Sequence, residues 1–165
     1  RMIQFKAPEK RNHKPMIKLF LAGSIDQGKA VEWQKEIVEY LKDTEVAIYN
    51  PRRDDWNPNL VQSIDNPGFK EQVTWELESL EASDIILFVF DPKGQAPITL
   101  LELGLFVNKG KTVLVVCPEG YWRKGNVDIV CERYKVPMLP SVEKAANIIK
   151  RLCLVPYPRT SSEDD

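Results

Sequence analysis

The chain has 165 residues, 43% of them hydrophobic and 28% charged, enough for one globular domain with a real core and too few for two. Lys and Arg number 23 against 24 Asp and Glu, a net charge of -1, so no bulk field draws the protein to a phosphate backbone or an anionic membrane. Three cysteines, Cys117, Cys131 and Cys153, lack C-x-x-C spacing, and with the single histidine, His13, they argue against a disulfide framework, a zinc site and histidine-based triads; acid–base work falls to carboxylates.

Residues 1–14 carry Arg1, Lys6, Lys10, Arg11 and Lys14 among few apolar residues, and 155–165 (VPYPRTSSEDD) end in Pro, Ser and acids. Both read as mobile or loosely docked extensions flanking a domain over 15–154. Met16 to Ala22 predicts a strand that meets Gly23-Ser24, and Val31 to Lys42 a helix with Val31, Ile37, Val38 and Leu41 near one face. Val46 to Tyr49 is a short second strand running into a polar loop that lasts to Gly68. Phe69 to Ala82 has apolar residues at helical spacing, and the strand Ile85 to Phe90 is apolar throughout, which implies burial on both faces. Pro97 opens a helix that Gly110 closes after Lys109. Thr112 to Val116 is a fourth strand, the loop CPEGYWRKGN follows, Val136 to Leu139 is a possible fifth strand, and Ser141 caps a last helix to about Leu154.

Strands separated by helices predict a single-domain α/β fold, a parallel sheet of about five strands with helices on both faces. Ligands bind such sheets beyond the carboxyl ends of the strands, which selects the loops 23–30, 51–68, 91–97 and 117–125. The longest apolar runs fall far short of the roughly 20 residues that span a bilayer, and no apolar segment follows the basic start, so a soluble cytoplasmic protein is expected.

The segment PITLLELGLFVNK is apolar on nearly every side, the mark of a buried helix, and Glu102 is its only acid. A buried carboxylate is costly unless paired, or its pKa rises. Two readings follow: a group held in a partly dry pocket as nucleophile or acid–base, or one directed along a rim and solvated or paired with a lysine. On the preceding helix, at about 100° per residue, Val73, Leu77 and Leu80 form the buried stripe while Glu71, Glu78 and Glu81 fall opposite. Glu76 departs from its fellow acids and lies at the edge of that stripe, where a functional acid and a partly buried, salt-bridged one both fit.

Gly23-Ser24-Ile25-Asp26-Gln27-Gly28 lies between a strand and a helix, where small residues and backbone N–H groups suit a phosphate or a hydroxyl-rich group; turn geometry alone also selects Gly and Ser. Arg52, Arg53, Asp54, Asp55 and Trp56 cluster after the second strand. A ring beside fixed donors and acceptors suits a nucleobase, and adjacent Arg and Asp also pair with each other on a surface. Tyr121, Trp122, Arg123 and Asn126 form either a lid or an ordinary surface loop with an aromatic anchor.

The runs FLAGSID, YNPRRDDW, WELESLEASDIILF and PITLLELG, with the later Asn126, resemble in the same order, over about residues 16–130, the nucleoside 2-deoxyribosyltransferase family and its relatives, the deoxynucleoside 5'-monophosphate N-glycosidases. The resemblance implies a flavodoxin-like or Rossmann-like domain, and an enzyme that cleaves the N-glycosidic bond of a (deoxy)nucleoside and passes the sugar to another base. Carried over by position, Glu102 of the E-L-G run matches the nucleophile that takes up the sugar. Glu76 matches the acid that assists at the base, and Asn126 the asparagine, in the loop after the fourth strand, that helps place nucleophile and sugar. Phe20 stands where many members have Tyr, and a second acid of the transferases falls near Gln95 or Ala96 here. Gly23-Ser24-Ile25 resembles the phosphate loop of the monophosphate N-glycosidases, but Asp26 follows where a basic residue would help, which favours nucleosides.

The substrate-binding set implied is Phe20, Gly23, Ser24, Ile25, Asp26, Arg52, Asp54, Asp55, Trp56, Gln95 and Tyr121. The chemistry calls for two carboxylates and for neither a metal nor another cofactor. Expected partners are a nucleoside or nucleotide, a free nucleobase and further copies of the chain in a dimer-based homo-oligomer, without nucleic acid or membrane. Two other readings stay open: a nucleoside or 5'-monophosphate N-glycosidase in which water collects the sugar, and a non-catalytic nucleotide-binding or sensing module.

Overall fold

The computed structural model describes residues 1–24, 32–55, 57 and 59–157. Among them six strands and five helices follow in the order β1 (Ile3–Lys6), β2 (Lys18–Gly23), α1 (Trp33–Tyr40), β3 (Ala47–Asn50), α2 (Pro67–Ala82), β4 (Ile85–Val89), α3 (Pro97–Phe106), β5 (Thr112–Val116), α4 (Lys124–Arg133), β6 (Met138–Leu139) and α5 (Val142–Cys153). The strands form one sheet in the order β1-β3-β2-β4-β5-β6, with every pairing parallel. After β2 the chain steps to one side to make β3 and then crosses back to make β4, so the order reverses between β2 and β4. In open parallel sheets a crevice opens at that point beyond the carboxyl ends.

Alternation along the strands divides the core in two. Phe20, Ala22, Ile86, Phe88 and Val115 face α2, α3 and α4, packing with Trp75, Leu80, Leu103, Phe106, Val127 and Cys131. Leu19, Leu21, Ile48, Leu87, Val89 and Leu114 face α1 and α5, packing with Trp33, Ile37, Ala145, Ala146 and Ile149. β4 is buried at all five positions, which is why its sequence is a continuous apolar run rather than an alternating one. No described helix is long and apolar enough to cross a membrane.

Two expectations are corrected. The sheet has six strands because residues read as a mobile extension form an edge strand: Ile3–Lys6 pairs with β3, placing Phe5 opposite Tyr49, and Phe5 and Ala7 are buried. The chain then straps α2, where Trp75 Nε1 donates to the Glu9 carbonyl at 2.8 Å and the Arg11 guanidinium lies 5.3 Å from the Trp75 ring. At the other end, Tyr157 accepts a hydrogen bond from Lys18 Nζ at 3.0 Å; residues 158–165 of the expected tail lie outside the described residues. The second correction concerns the stretch after β5, where the last three residues of the expected loop, Lys124 to Asn126, open a helix, α4. Val127 and Cys131, four apart on one helical face, are its buried residues.

Candidate active site

Helix α3 delivers Glu102 to the interior. With Pro97 in the first turn, its buried residues are Thr99, Glu102, Leu103 and Phe106, a set spaced by three and four and so on one face. Glu102 is only 8% exposed, while Ile98, Leu101 and Leu105 are 57%, 58% and 43% exposed. The expectation of a helix buried all round is therefore corrected, for the acid points in and three large apolar side chains point out. The helix start is pinned from outside. Ala96 is left-handed (φ 46°) and offers no side-chain cap, while the Gln95 carbonyl accepts from the Tyr121 hydroxyl at 2.5 Å and from Trp122 Nε1 at 3.0 Å.

Helix α2 supplies the second carboxyl. Asn66 caps it by accepting from the Gly68 and Phe69 N–H groups, and its buried residues are Gln72, Trp75, Ser79 and Leu80. The buried face is thus rotated from the expected Val73–Leu77–Leu80 stripe towards Gln72, which finds an acceptor beyond the helix, and Ser79, whose hydroxyl is satisfied by the helix backbone. Ser79 Oγ donates to the Trp75 carbonyl at 2.6 Å, and Gln72 Nε2 donates to the Pro51 carbonyl at 3.1 Å. Glu76, between Gln72 and Ser79 on that face, accepts from Gln72 Nε2 at 3.1 Å. The three remaining acids of the helix, Glu71, Glu78 and Glu81, are exposed.

Electrostatics joins the two groups. Burial pushes the Glu102 carboxyl up to about 8, and the charge of Glu76 pushes in the same direction. Burial raises Glu76 to about 6, against the hydrogen bond from Gln72, which lowers it. The charge of Glu76 raises Glu102, so the pair gives up its protons in two steps, Glu76 first. Between the two steps it holds one proton, so one carboxylate and one carboxylic acid stand together near neutral pH.

The other expected site residues divide into groups. Gly23 and Ser24 end β2 at the crossover point: a Cβ on Gly23 would lie 2.5 Å from both Trp33 Cζ2 and the Val89 carbonyl, and the Ser24 hydroxyl accepts from the Asp91 N–H at 2.9 Å. Phe20 is fully buried within the core. Arg52 donates to Gln34 Oε1 at 3.2 Å, and with Asp54 it lines a polar groove of about 260 Å³ beside α1. Asp54 pairs there with Lys6 at 2.8 Å. Arg53 and Asp55 pair with each other at 3.0 Å. Arg53 Nη1 also approaches Gln72 Oε1 at 3.4 Å, so Arg53 rather than Arg52 connects to the Glu76 network.

Tyr121 is buried against Phe90, with ring centroids 4.7 Å apart, and Gln95 is engaged through its carbonyl; both serve as anchors rather than as an open lid. Ile25, Asp26 and Trp56 lie outside the described residues. Asn126 belongs to the first turn of α4, not to a loop, and is exposed in an apolar groove of about 450 Å³ lined also by Leu100, Leu103, Gly104 and Val130. At about 100° per residue, Leu100 and Gly104 lie on the side of α3 turned away from Glu102. The fold places the charge of Glu76 within reach of Glu102, then, while Asn126 lines a groove with Leu100, Leu103 and Gly104 of α3. Gln72, which donates to Glu76, lies outside the expected set, and Arg53 connects to Glu76 only through Gln72. Gln72 was legible as the residue four before Glu76 on a helix, the spacing at which side chains meet.

Comparison with known proteins agrees with this architecture. A crystal structure of a conserved protein from Enterococcus faecalis V583 superposes with a TM-score of 0.60 at 17% identity, covering 84% of this chain and 99% of the other, a likeness of fold. No curated protein matches the chain. The family model described as nucleoside 2-deoxyribosyltransferase like matches residues 16–121, a span that contains both buried carboxyls and leaves out β1 and α4. An α/β sheet with its crossover between β2 and β4, two buried acids on adjacent helices and a sequence match over most of the domain converge: the chain belongs to the nucleoside 2-deoxyribosyltransferase-like family.

Proposed function

We propose that the protein cleaves the N-glycosidic bond of a (deoxy)nucleoside and transfers the sugar to a second nucleobase, with Glu102 as nucleophile and Glu76 as the acid. The observation that carries this reading is the pair itself, a carboxyl on α2 and a carboxyl on α3 that burial pushes up and that lie near enough for the charge of Glu76 to act on Glu102. In the first half-reaction the Glu102 carboxylate forms a bond to the anomeric carbon as the bond to the base breaks, and Glu76 gives its proton to the departing base. The incoming base then attacks the same carbon, loses a proton to Glu76 and releases Glu102 as a carboxylate. In the empty site the proton is held more tightly by Glu102. The reaction needs it on Glu76, and a bound base that accepts a hydrogen bond from Glu76, together with positive charge developing on the sugar beside Glu102, favours that arrangement.

An assembly of copies belongs to the same reading. Ile98, Leu101 and Leu105, spaced by three and four, project from one side of α3 into solvent, and Trp122 and Ile129 are exposed as well, an apolar ridge of the kind that another chain can cover. A second chain covering this ridge would pack against the helix that carries Glu102 and against the groove that holds Asn126. The test of function is base exchange: a deoxynucleoside is incubated with a second free base, and the new nucleoside and a glycosyl adduct on Glu102 are sought by mass spectrometry. Release of base without acceptor identifies a hydrolase instead, and binding without turnover a sensing module. Exchange by Glu102→Gln at the wild-type rate would remove Glu102 from the mechanism.

A further inference from the structure

Gln72 is 4% exposed and sits where the chain can least afford an arbitrary amide. A glutamine amide has two donor hydrogens on Nε2 and an acceptor Oε1. Both hydrogens have partners, the Pro51 carbonyl at 3.1 Å and Glu76 Oε1 at 3.1 Å, and the acceptor faces Arg53 Nη1 at 3.4 Å. Reversing the amide would set Oε1 against a carbonyl and a carboxyl oxygen, and Nε2 against a guanidinium. The orientation is fixed by its surroundings.

We propose that Gln72 is a positioning residue for the acid: its N–H occupies Glu76 Oε1 as an acceptor, so that the transferred proton is carried on Oε2, the oxygen left to face the substrate. This rests on Glu76 being the acid of the proposed reaction. A carboxylic acid with no such partner distributes its proton over both oxygens and several rotamers, and only part of that population donates to a leaving base. Gln72 removes the unproductive half. The same amide ties Glu76 to the segment after β3, since Pro51 and Arg53 hold its other sides. Among the described residues the ionisable groups around this carboxyl are Glu102 from α3 and, through Gln72, Arg53 paired with Asp55.

The test compares wild type with Gln72→Met, which keeps the length and apolar stem but has no donor, and with Gln72→Asn, whose amide is too short to span Pro51 and Glu76; either serves where the other does not fold. Two substrates are used, a deoxynucleoside whose base leaves only when protonated and a 2-deoxyriboside with a nitrophenolate leaving group that needs no acid. Expected are a fall in kcat of about 10- to 100-fold on the nucleoside, little change on the activated substrate, and an acid limb of the pH profile moved up by about one unit, because a hydrogen bond to the ionised form is lost. Carbon NMR titration of the Glu76 carboxyl reads the same shift without turnover. Equal losses on both substrates, or an unmoved titration, would overturn the inference and leave Gln72 a brace for the loop. If Glu76→Gln also failed to discriminate the two substrates, the assignment of Glu76 as acid would fall, and the inference with it.

Discussion

Replacing Glu102 by glutamine should abolish glycosyl transfer and at the same time stabilise the fold above neutral pH. The carboxyl goes from an ordinary 4.5 to about 8 on folding, so the folded chain binds the proton more tightly than the unfolded one. Stability from this group is therefore complete below about pH 4.5 and is lost as pH rises towards 8. One pKa unit is worth about 1.36 kcal/mol, and for this shift the loss between pH 5 and pH 8 comes to about 3–4 kcal/mol. That figure is a ceiling, because an interior that relaxes or admits water recovers part of it. The amide in Glu102→Gln has nearly the same volume and never ionises. Urea unfolding of both proteins at pH 5 and pH 8, with the linear extrapolation at fixed slope, should show them close at pH 5 and the variant ahead at pH 8. A stability gap that does not change between the two pH values would refute the argument that Glu102 is held without solvation.

Other consequences are as direct. The profile of kcat/KM against pH should be bell-shaped with limbs near 6 and 8, the two steps of the carboxyl pair; a flat profile across this range would exclude the pair as the reacting groups. Deleting residues 1–14 should lower the thermal midpoint by more than 10 °C, since it uncovers the β3 edge and the Trp75 strap, and Arg11→Ala should cost about 1 kcal/mol through the lost contact with the ring. Gly23→Ala should destabilise the chain by about 1–3 kcal/mol in urea unfolding, because the new methyl meets the Val89 carbonyl and the Trp33 ring. Leu101→Arg, which turns an exposed apolar side chain into a charged one, should shift sedimentation towards the monomer while leaving the far-ultraviolet circular dichroism unchanged.

Sequence showed most where one force dominates. β4 and β5 are apolar because both faces of the sheet are covered, and the observed Thr112–Val116 matches its expected bounds. β1 escaped notice because an edge strand buries little: Gln4 and Lys6 alternate with Ile3 and Phe5 in a segment otherwise dense in charge, and the strand exists through pairing with β3 rather than through its own hydrophobicity. In α2 the expectation failed for a related reason. Hydrophobicity alone assigned Val73 to the buried side, whereas Gln72 goes inside because the Pro51 carbonyl waits there, and a hydrogen-bond partner across 21 residues leaves no mark in a local pattern; Ser79 can follow because the Trp75 carbonyl of its own helix satisfies its hydroxyl. α4 was missed because Gly125 and Asn126 are typical of turns, although Val127, Val130 and Cys131 carry the helical spacing.

The position of Glu102 shows how little of this site is made by the residues that would react. Its helix has no side-chain cap and begins after a left-handed alanine, so beyond the fixed φ of Pro97 the first turn of α3 takes its anchorage from outside. Its angle is set by Tyr121 and Trp122, which both close on the Gln95 carbonyl, and by Tyr121 packing on Phe90 at the end of β4. The second carboxyl is fixed from a different direction, through Gln72 to Pro51 and through Trp75 to Glu9. Two anchors drawn from separate stretches of the chain thus hold the helices of the two carboxyls, and loosening either would alter how strongly the charge of Glu76 raises Glu102. Conservative changes at Tyr121 and at Gln72 should therefore act on the same pH limbs although the two residues belong to separate elements of the fold. That shared effect distinguishes a site built by its supports from one built by its carboxyls alone.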